Sequence, residues 1–177
     1  GPELMMRFEQ QAQEYGLEIR YDTVEALELA GEVKRARLSS GVVEARAAIL
    51  CMGASRRTLN VPGEAELTGR GVSYCATCDG ALYRDKEVAV VGGGDTAMED
   101  ALYLARLCRQ VTLIHRRGEL RASGSRADAL RRETNVNILY HSQVERIEKA
   151  ENGIRLHLNQ GRELLVSALF VAIGTQP

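Results

Sequence analysis

A glycine-rich loop between an apolar strand and a helix constrains the fold of this chain more than any other feature. Residues 87–117 read EVAVVGGGDTAMEDALYLARLCRQVTLIHRR, in which Gly92, Gly94 and Ala97 match the pattern G-x-G-x-x-A. The pattern is weak by itself, but here it follows a predicted strand, opens a predicted helix and precedes a second strand. Gly92 permits the tight turn, Gly94 lets the backbone approach a pyrophosphate, and Ala97 lets helix and strand pack closely. The stretch therefore predicts a strand–helix–strand unit that binds a dinucleotide at the helix N-terminus.

The end of the second strand indicates which dinucleotide binds. An NAD site has an acid there, which binds the ribose 2′-hydroxyl group. This sequence has His115, Arg116 and Arg117 instead, and Arg121 follows one helical turn later. Guanidinium groups bind a 2′-phosphate through paired, charge-assisted hydrogen bonds. We therefore predict NADPH rather than NADH as the ligand. The predicted contacts are Gly92, Gly93, Gly94, Asp95, Thr96, His115, Arg116, Arg117 and Arg121.

Arginines also occur on solvated helix faces, and this alternative applies differently along the segment. For Arg116 and Arg117, the position after the second strand favours phosphate binding. For Arg121 the two interpretations are closer. Three further arginines lie in the predicted helix beyond it, and for these we expect a solvated face: Arg126, Arg131 and Arg132.

Periodicity predicts an α/β fold around the glycine loop. Strands alternate with helices, which is typical of a parallel sheet with helical crossovers. The predicted elements are strands at 87–91, 111–115, 136–140 and 168–173, helices at 95–108 and 121–132, and a small antiparallel meander at 143–149, 154–158 and 164–166. The fold class is α/β, a Rossmann-like three-layer domain with a parallel sheet and a meander, preceded by part of a second domain.

The N-terminal part has a different order of predicted elements. An amphipathic helix is predicted for 3–15, followed by short strands at 17–21, 25–29 and 33–38 and by a buried-looking strand at 47–52. The turn-rich segment 58–71 then marks a boundary, which gives two predicted domains, residues 1–70 and 71–177.

Two cysteines in the stretch SYCATCDG could form a metal clip, a structural disulfide or a redox pair. A structural zinc site needs four ligands, usually a second close pair. The remaining candidates have no such spacing: Cys51, Cys108, His115, His141 and His157. Zinc is therefore disfavoured. Cys51 and Cys108 fall in apolar surroundings, where we expect both to pack as small hydrophobic residues.

A redox pair fits the spacing of Cys75 and Cys78 better. Two cysteines at the start of a helix can close a small ring, and the helix N-terminus makes a thiolate available for disulfide exchange. Asp79 follows directly and is placed to deliver or take a proton. A helix-capping role for Asp79 is equally compatible with the sequence.

Composition excludes several functional classes. The chain has 177 residues, 45% hydrophobic and 27% charged, and its net charge of −1 provides no general attraction to nucleic acid or anionic membranes. Four cysteines are too few for a secreted disulfide framework. No apolar run is long enough to span a membrane, and no signal-peptide pattern is present. We expect a cytoplasmic protein.

Four segments together resemble a known family: CATCDG, VAVVGGGDTAMEDALYLA, TLIHRRGELRA and LFVAIGTQP. They resemble low-molecular-weight bacterial thioredoxin reductases, and are also similar to the reductase subunit of alkyl hydroperoxide reductase. The resemblance implies that Cys75 and Cys78 form the redox disulfide, that Asp79 is the acid beside it, and that the glycine loop and the arginines bind NADPH. Gly53, in the segment CMGA, stands where the family has ATGA close to its flavin.

In this family, electrons pass from NADPH to FAD, then to the disulfide and finally to a thioredoxin-like partner protein. The resemblance also implies a homodimer. By this resemblance, residues 1–70 are an incomplete flavin-domain segment and residues 71–177 a NADPH domain. We expect a central fragment that lacks both terminal flavin-binding segments and does not retain FAD tightly. The alternatives are a NADP(H)-binding module without turnover and the peroxide-linked reductase subunit.

Overall fold

The computed structural model describes residues 1–120 and 124–176. The chain divides into two compact units, Gly1–Met52 and Gly53–Pro177. The second unit therefore begins earlier than the predicted boundary at residue 71. The assignment of the two parts to flavin and NADPH binding stays a prediction.

The buried carboxylate of Glu64 explains why the turn-rich segment belongs to the second unit. It accepts hydrogen bonds from the backbone N–H groups of Leu59 and Asn60, both at 2.8 Å, and from the Tyr74 hydroxyl at 2.9 Å. Leu67, from the same segment, is buried in the core of this unit. A buried carboxylate is stable only with such partners, so these bonds fix the segment to the strand that follows it.

The first unit contains one helix and one small sheet. Helix α1 spans Pro2–Glu14, and strands β1 (Val24–Glu28), β2 (Lys34–Leu38) and β3 (Gly41–Ala45) form an antiparallel sheet in that order. The helix, β1 and β2 match the predictions within one or two residues.

Two predicted strands of the first unit are wrong. Residues 17–21 and 47–52 form no strand, and residues 47–52 are exposed rather than buried. A short apolar run becomes a buried strand only where neighbouring strands pair with it and cover it. In this unit no strand pairs with either run. Cys51 is consequently exposed.

The second unit contains the remaining elements. They are β4 (Ser55–Arg56), α2 (Glu64–Leu67), β5 (Val72–Ser73), α3 (Ala76–Asp79), β6 (Glu87–Gly92), α4 (Asp95–Ala105), β7 (Gln110–Ile114), α5 (Gly124–Arg132), β8 (Val136–Leu139), β9 (Val144–Ala150), β10 (Gly153–Leu158), β11 (Glu163–Val166), β12 (Ala168–Ala172) and β13 (Thr175–Gln176). A 3-10 turn over Gly80–Tyr83 follows α3. None of the helices in the described parts of the chain is long and apolar enough to cross a membrane.

The central sheet has the strand order β5–β12–β6–β7–β8, and all its strands are parallel. Successive side chains of a strand point to opposite faces. Val88 and Val90 accordingly pack with α4 and α5 on one face, while Ala89 and Val91 pack with the antiparallel meander β9–β10–β11 on the other. Helices, parallel sheet and meander form the three predicted layers.

Candidate redox and dinucleotide-binding site

A disulfide joins Cys75 and Cys78 around the first turn of α3, with their Cα atoms 5.3 Å apart. Cys75 is the N-cap residue of α3 and has an extended backbone, and its sulfur accepts the N–H of Cys78 at 3.2 Å. Backbone N–H groups directed at a sulfur stabilise its thiolate form. Cys78 is exposed and Cys75 is half-buried, so the pair is accessible to a reacting thiol.

Ser73, at the end of β5, connects both ends of this motif. Its buried hydroxyl donates to Oδ2 of Asp79 at 2.6 Å and accepts the N–H of Cys75 at 3.1 Å. The carboxylate of Asp79 does not cap the 3-10 turn that follows it. Burial and the negative charge of Asp79 raise the pKa of Tyr83. Asp79 is thus held beside the disulfide by a hydroxyl group rather than used as a cap.

The glycine loop has the steric properties of a phosphate cradle. A Cβ atom on Gly92 would lie 2.3 Å from the Ala172 backbone oxygen and 2.6 Å from the Cβ of Ala97, so this position tolerates no side chain. A Cβ on Gly94, the N-cap residue of α4, would meet nothing within 4 Å. The absence of a side chain at Gly92 therefore lets the loop pack closely against Ala97 and Ala172. Gly94 instead leaves open space where a pyrophosphate can approach the helix N-terminus.

The three residues that follow β7, His115 to Arg117, supply one buried imidazole and two exposed guanidinium groups. The ring of His115 packs against the loop, since a Cβ on Gly93 would lie 2.1 Å from it, and Nε2 donates to the backbone oxygen of Glu119 at 2.8 Å. Arg116 and Arg117 are exposed, and neither forms an ion pair with any residue the structure describes. Both remain available to an anionic ligand.

A cavity of about 320 Å³ lies at the carboxyl ends of the parallel strands, where Gly92, His115 and Arg116 form part of its wall. Ligands of open α/β sheets bind at this edge. The wall also includes Arg57 and Ser142, which the sequence did not identify. The residues that line it do not include Cys75 or Cys78, so the disulfide lies outside the cavity.

The sequence profile of the family described as "Pyridine nucleotide-disulphide oxidoreductase" matches residues 5–177. The chain belongs to this family. It is 44% identical over its whole length to "Thioredoxin reductase" of Mycolicibacterium smegmatis and covers 58% of that protein. It is 45% identical, again over its whole length, to "Bifunctional thioredoxin reductase/thioredoxin" of Mycobacterium leprae (strain TN), of which it covers 40%.

Solved structures of family members have the same fold. Thioredoxin reductase from Giardia duodenalis superposes with a TM-score of 0.79 at 32% identity, over 98% of this chain and 59% of that one. The Lactococcus lactis thioredoxin reductase, in its FR conformation, gives a TM-score of 0.72 at 35% identity, over 99% and 60%. These comparisons confirm the predicted resemblance and the α/β fold. The chain spans 40–60% of the length of these relatives.

The predicted NADPH contacts that the structure describes lie at one edge of the parallel sheet. Arg121 lies outside the described residues. Asp95 begins α4, but its carboxylate pairs with Arg126 at 3.0 Å. Thr96 is exposed on the first turn, and Gly53 is an exposed glycine with a φ of 74°. The individual roles of all these residues stay predictions.

Other residues of this family member depart from the expectations. Arg126 is exposed, as expected of a solvated face, and it also forms ion pairs with Asp95 and Glu99. Cys51 was expected in a buried strand but is exposed, whereas Cys108 is buried as predicted, and burial raises the pKa of its thiol. No cluster of three or more His, Cys, Asp or Glu side chains suited to a metal occurs among residues 1–120 and 124–176.

Besides Arg57 and Ser142, sequence reasoning missed the contacts of Ser73 and Arg126. A serine two residues before the first cysteine carries a local signal, since serine hydroxyls often bond a nearby backbone N–H. Arg126 has no comparable signal, because its partners lie on another helix and their register depends on how α5 packs against α4.

Proposed function

We propose that these residues are the dinucleotide-binding and redox-active part of an NADPH-dependent flavoprotein disulfide reductase that acts on thioredoxin or a thioredoxin-like protein. One observation carries the proposal: the Cys75–Cys78 disulfide lies in the same compact unit as a glycine loop suited to a pyrophosphate. Relatives named thioredoxin reductase, one of them joined to a thioredoxin in a single chain, support the choice of partner.

The chain's own residues fit NADPH. The open space at Gly94 admits the pyrophosphate to the N-terminus of α4. In this proposal Arg116 and Arg117 provide paired donors for the 2′-phosphate and so favour NADPH over NADH. His115, held by its bond to Glu119, fixes the loop against the strand end.

For FAD the described residues offer less. Gly53 has open space around its Cβ position, but no second glycine-rich turn between a strand and a helix occurs in the described parts of the chain. FAD therefore enters the proposal for the whole protein through its relatives. When bound, the flavin supplies the two-electron transfer from NADPH to the disulfide.

The reduced cysteine pair performs thiol–disulfide exchange. A thiolate of the pair attacks one sulfur of the partner's disulfide, and a mixed disulfide forms while the partner's other sulfur leaves as a thiolate. The second cysteine then attacks the mixed disulfide, which restores the Cys75–Cys78 bond and releases the partner as a dithiol. Asp79, held by Ser73, exchanges the protons that these steps require.

We further propose that the protein is a homodimer and is located in the cytoplasm, where thiol pairs are kept reduced.

The proposal is tested with the protein at its full natural length. We expect NADPH to release two additional thiols, titrated with a chromogenic disulfide, and to support the reduction of thioredoxin. Cys78→Ser should abolish both reactions and leave NADP⁺ binding unchanged. Cys51→Ser, which alters an exposed free cysteine, is the matched control and should retain full activity.

Two results would overturn parts of this proposal. NADP⁺ binding without any thiol release would identify a dinucleotide-binding module that does not reduce its disulfide. Reduction of a peroxiredoxin-type acceptor but not of thioredoxin would retain the reductase and replace its partner.

A further inference from the structure

Acidic residues lie beside the proposed pyrophosphate site. Asp95 is the first residue of α4, directly after Gly94, and Glu99 lies one turn further on. Both side chains are more than half exposed. Burial and then the charge of Glu99 raise the pKa of the neighbouring Asp100, so the field of Glu99 is felt along this helix. A dinucleotide bound at Gly94 would bring two more negative charges to the same place.

A single arginine from the next helix neutralises part of this charge. The two terminal nitrogens of the Arg126 guanidinium bind different acids, NH1 to Oδ1 of Asp95 at 3.0 Å and NH2 to Oε1 of Glu99 at 2.6 Å. The guanidinium thus connects α5 to the first turns of α4. Exposed ion pairs contribute little to stability, so the main effect of this arrangement is on the local potential and not on the fold.

We propose that Arg126 is a positioning residue of the dinucleotide site, which makes the glycine loop receptive to phosphate by neutralising and orienting Asp95 and Glu99. The inference rests on the proposed NADP(H) binding. Arg126 acts through the two acids and touches no phosphate itself. Without it, the Asp95 carboxylate is free to turn towards the loop, and the full charge of both acids opposes the pyrophosphate. Like charges a few ångströms apart repel appreciably, and salt screens this repulsion.

The test is equilibrium binding of NADP⁺ to the full-length protein, measured by titration calorimetry at low ionic strength. We expect Arg126→Ala to weaken binding by about 3–10-fold, from interactions of this size near a protein surface. The matched control is Arg131→Ala, since Arg131 lies on the same helix and pairs with Asp128 at 3.0 Å, away from the loop. It should bind NADP⁺ within about twofold of the unaltered protein.

A second variant separates screening from a structural role by the sign of its effect. Asp95→Asn should bind NADP⁺ more tightly than the unaltered protein, and Arg126→Ala with Asp95→Asn should recover most of the lost affinity. Raising the salt concentration to about 0.5 M should reduce the difference between Arg126→Ala and the unaltered protein.

The contrary outcomes are distinct. Weaker binding by Asp95→Asn would make Asp95 a direct contact, and a persistent loss in the double variant would give Arg126 a role independent of Asp95. Either result overturns this inference but leaves the proposed function standing. The same holds if Arg126→Ala binds NADP⁺ as tightly as Arg131→Ala. Absence of NADP⁺ binding by the unaltered protein would instead overturn the proposed function, and this inference with it.

Discussion

The small antiparallel sheets of the two units bury very different surfaces. Each unit has a three-stranded antiparallel sheet, β1–β2–β3 in Gly1–Met52 and β9–β10–β11 in Gly53–Pro177. The second sheet alternates buried and exposed residues and covers one face of the parallel sheet. The first has no fully buried residue, and the buried hydrophobic residues of the described chain all belong to the second unit. An amphipathic pattern creates an apolar face, but only a neighbouring layer converts it into a core.

The largest expected effect uses the two phenylalanines, one in each unit. Phe170 is 1% exposed and packs edge-to-face with Tyr83, whereas Phe8 is 55% exposed. Phe170→Ala should lower the free energy of unfolding by about 3–5 kcal/mol, because it leaves a cavity. Phe8→Ala should change it by less than about 1 kcal/mol. Urea unfolding followed by circular dichroism measures both, and similar losses would show that the burial difference does not hold in solution.

A second comparison concerns two glycines with nearly equal φ angles. Gly16 has a φ of 83° and open space around its Cβ position, whereas Gly63 has a φ of 85° and a Cβ there would lie 1.8 Å from the backbone oxygen of Ile147. Gly16→Ala carries only the left-handed strain, about 1 kcal/mol. Gly63→Ala must also displace the Ile147 backbone and should cost about 2–4 kcal/mol.

The same unfolding assay measures this pair. Equal costs for Gly16→Ala and Gly63→Ala would mean that backbone strain alone matters and that the close packing of the second unit adds nothing.

A smaller effect with opposite signs concerns two aspartates. Burial, and secondarily the charge of Glu99, raise the pKa of Asp100 in the second unit to about 6. Since the unfolded carboxyl group ionises near 3.9, the folded state binds more protons between about pH 4 and 6, and stability falls as the pH rises through this window. Asp100→Asn removes this penalty and should stabilise the protein by about 1 kcal/mol at pH 8, after allowance for solvent screening of a half-buried group. At pH 4 the variant and the parent should be equally stable.

Asp22, in the first unit, provides the comparison of opposite sign. Hydrogen bonds from the Ser40 hydroxyl and from the Thr23 N–H lower its pKa. Its contribution to stability is therefore present at neutral pH and is lost as the pH falls through the lowered pKa. Asp22→Asn should destabilise the protein at neutral pH, and the difference should vanish in acid. Urea unfolding at several pH values measures both variants, and effects of the same sign would contradict the assignment of causes.

Much of the second unit was predictable because its signals are local. The strand at 87–91, the helix that begins at Asp95 and the meander follow from periodicity and from the positions of Gly92 and Gly94. The run 47–52 was not predictable in the same way. Its apolar composition is compatible with a buried strand, and only the lack of pairing partners in the structure shows otherwise.

The sequence by itself determined the features that depend on neighbours along the chain. These include the placement of Cys75 and Cys78 at the start of α3, the glycine turn between β6 and α4, and the arginines that follow β7. Tertiary structure alone decided the interactions that join separate elements. Arg126 meets Asp95 because α5 packs beside α4, and Cys51 stays exposed because no layer covers its segment. Residue order sets local geometry through steric and backbone preferences, whereas burial and charge pairing depend on which surfaces the fold brings together.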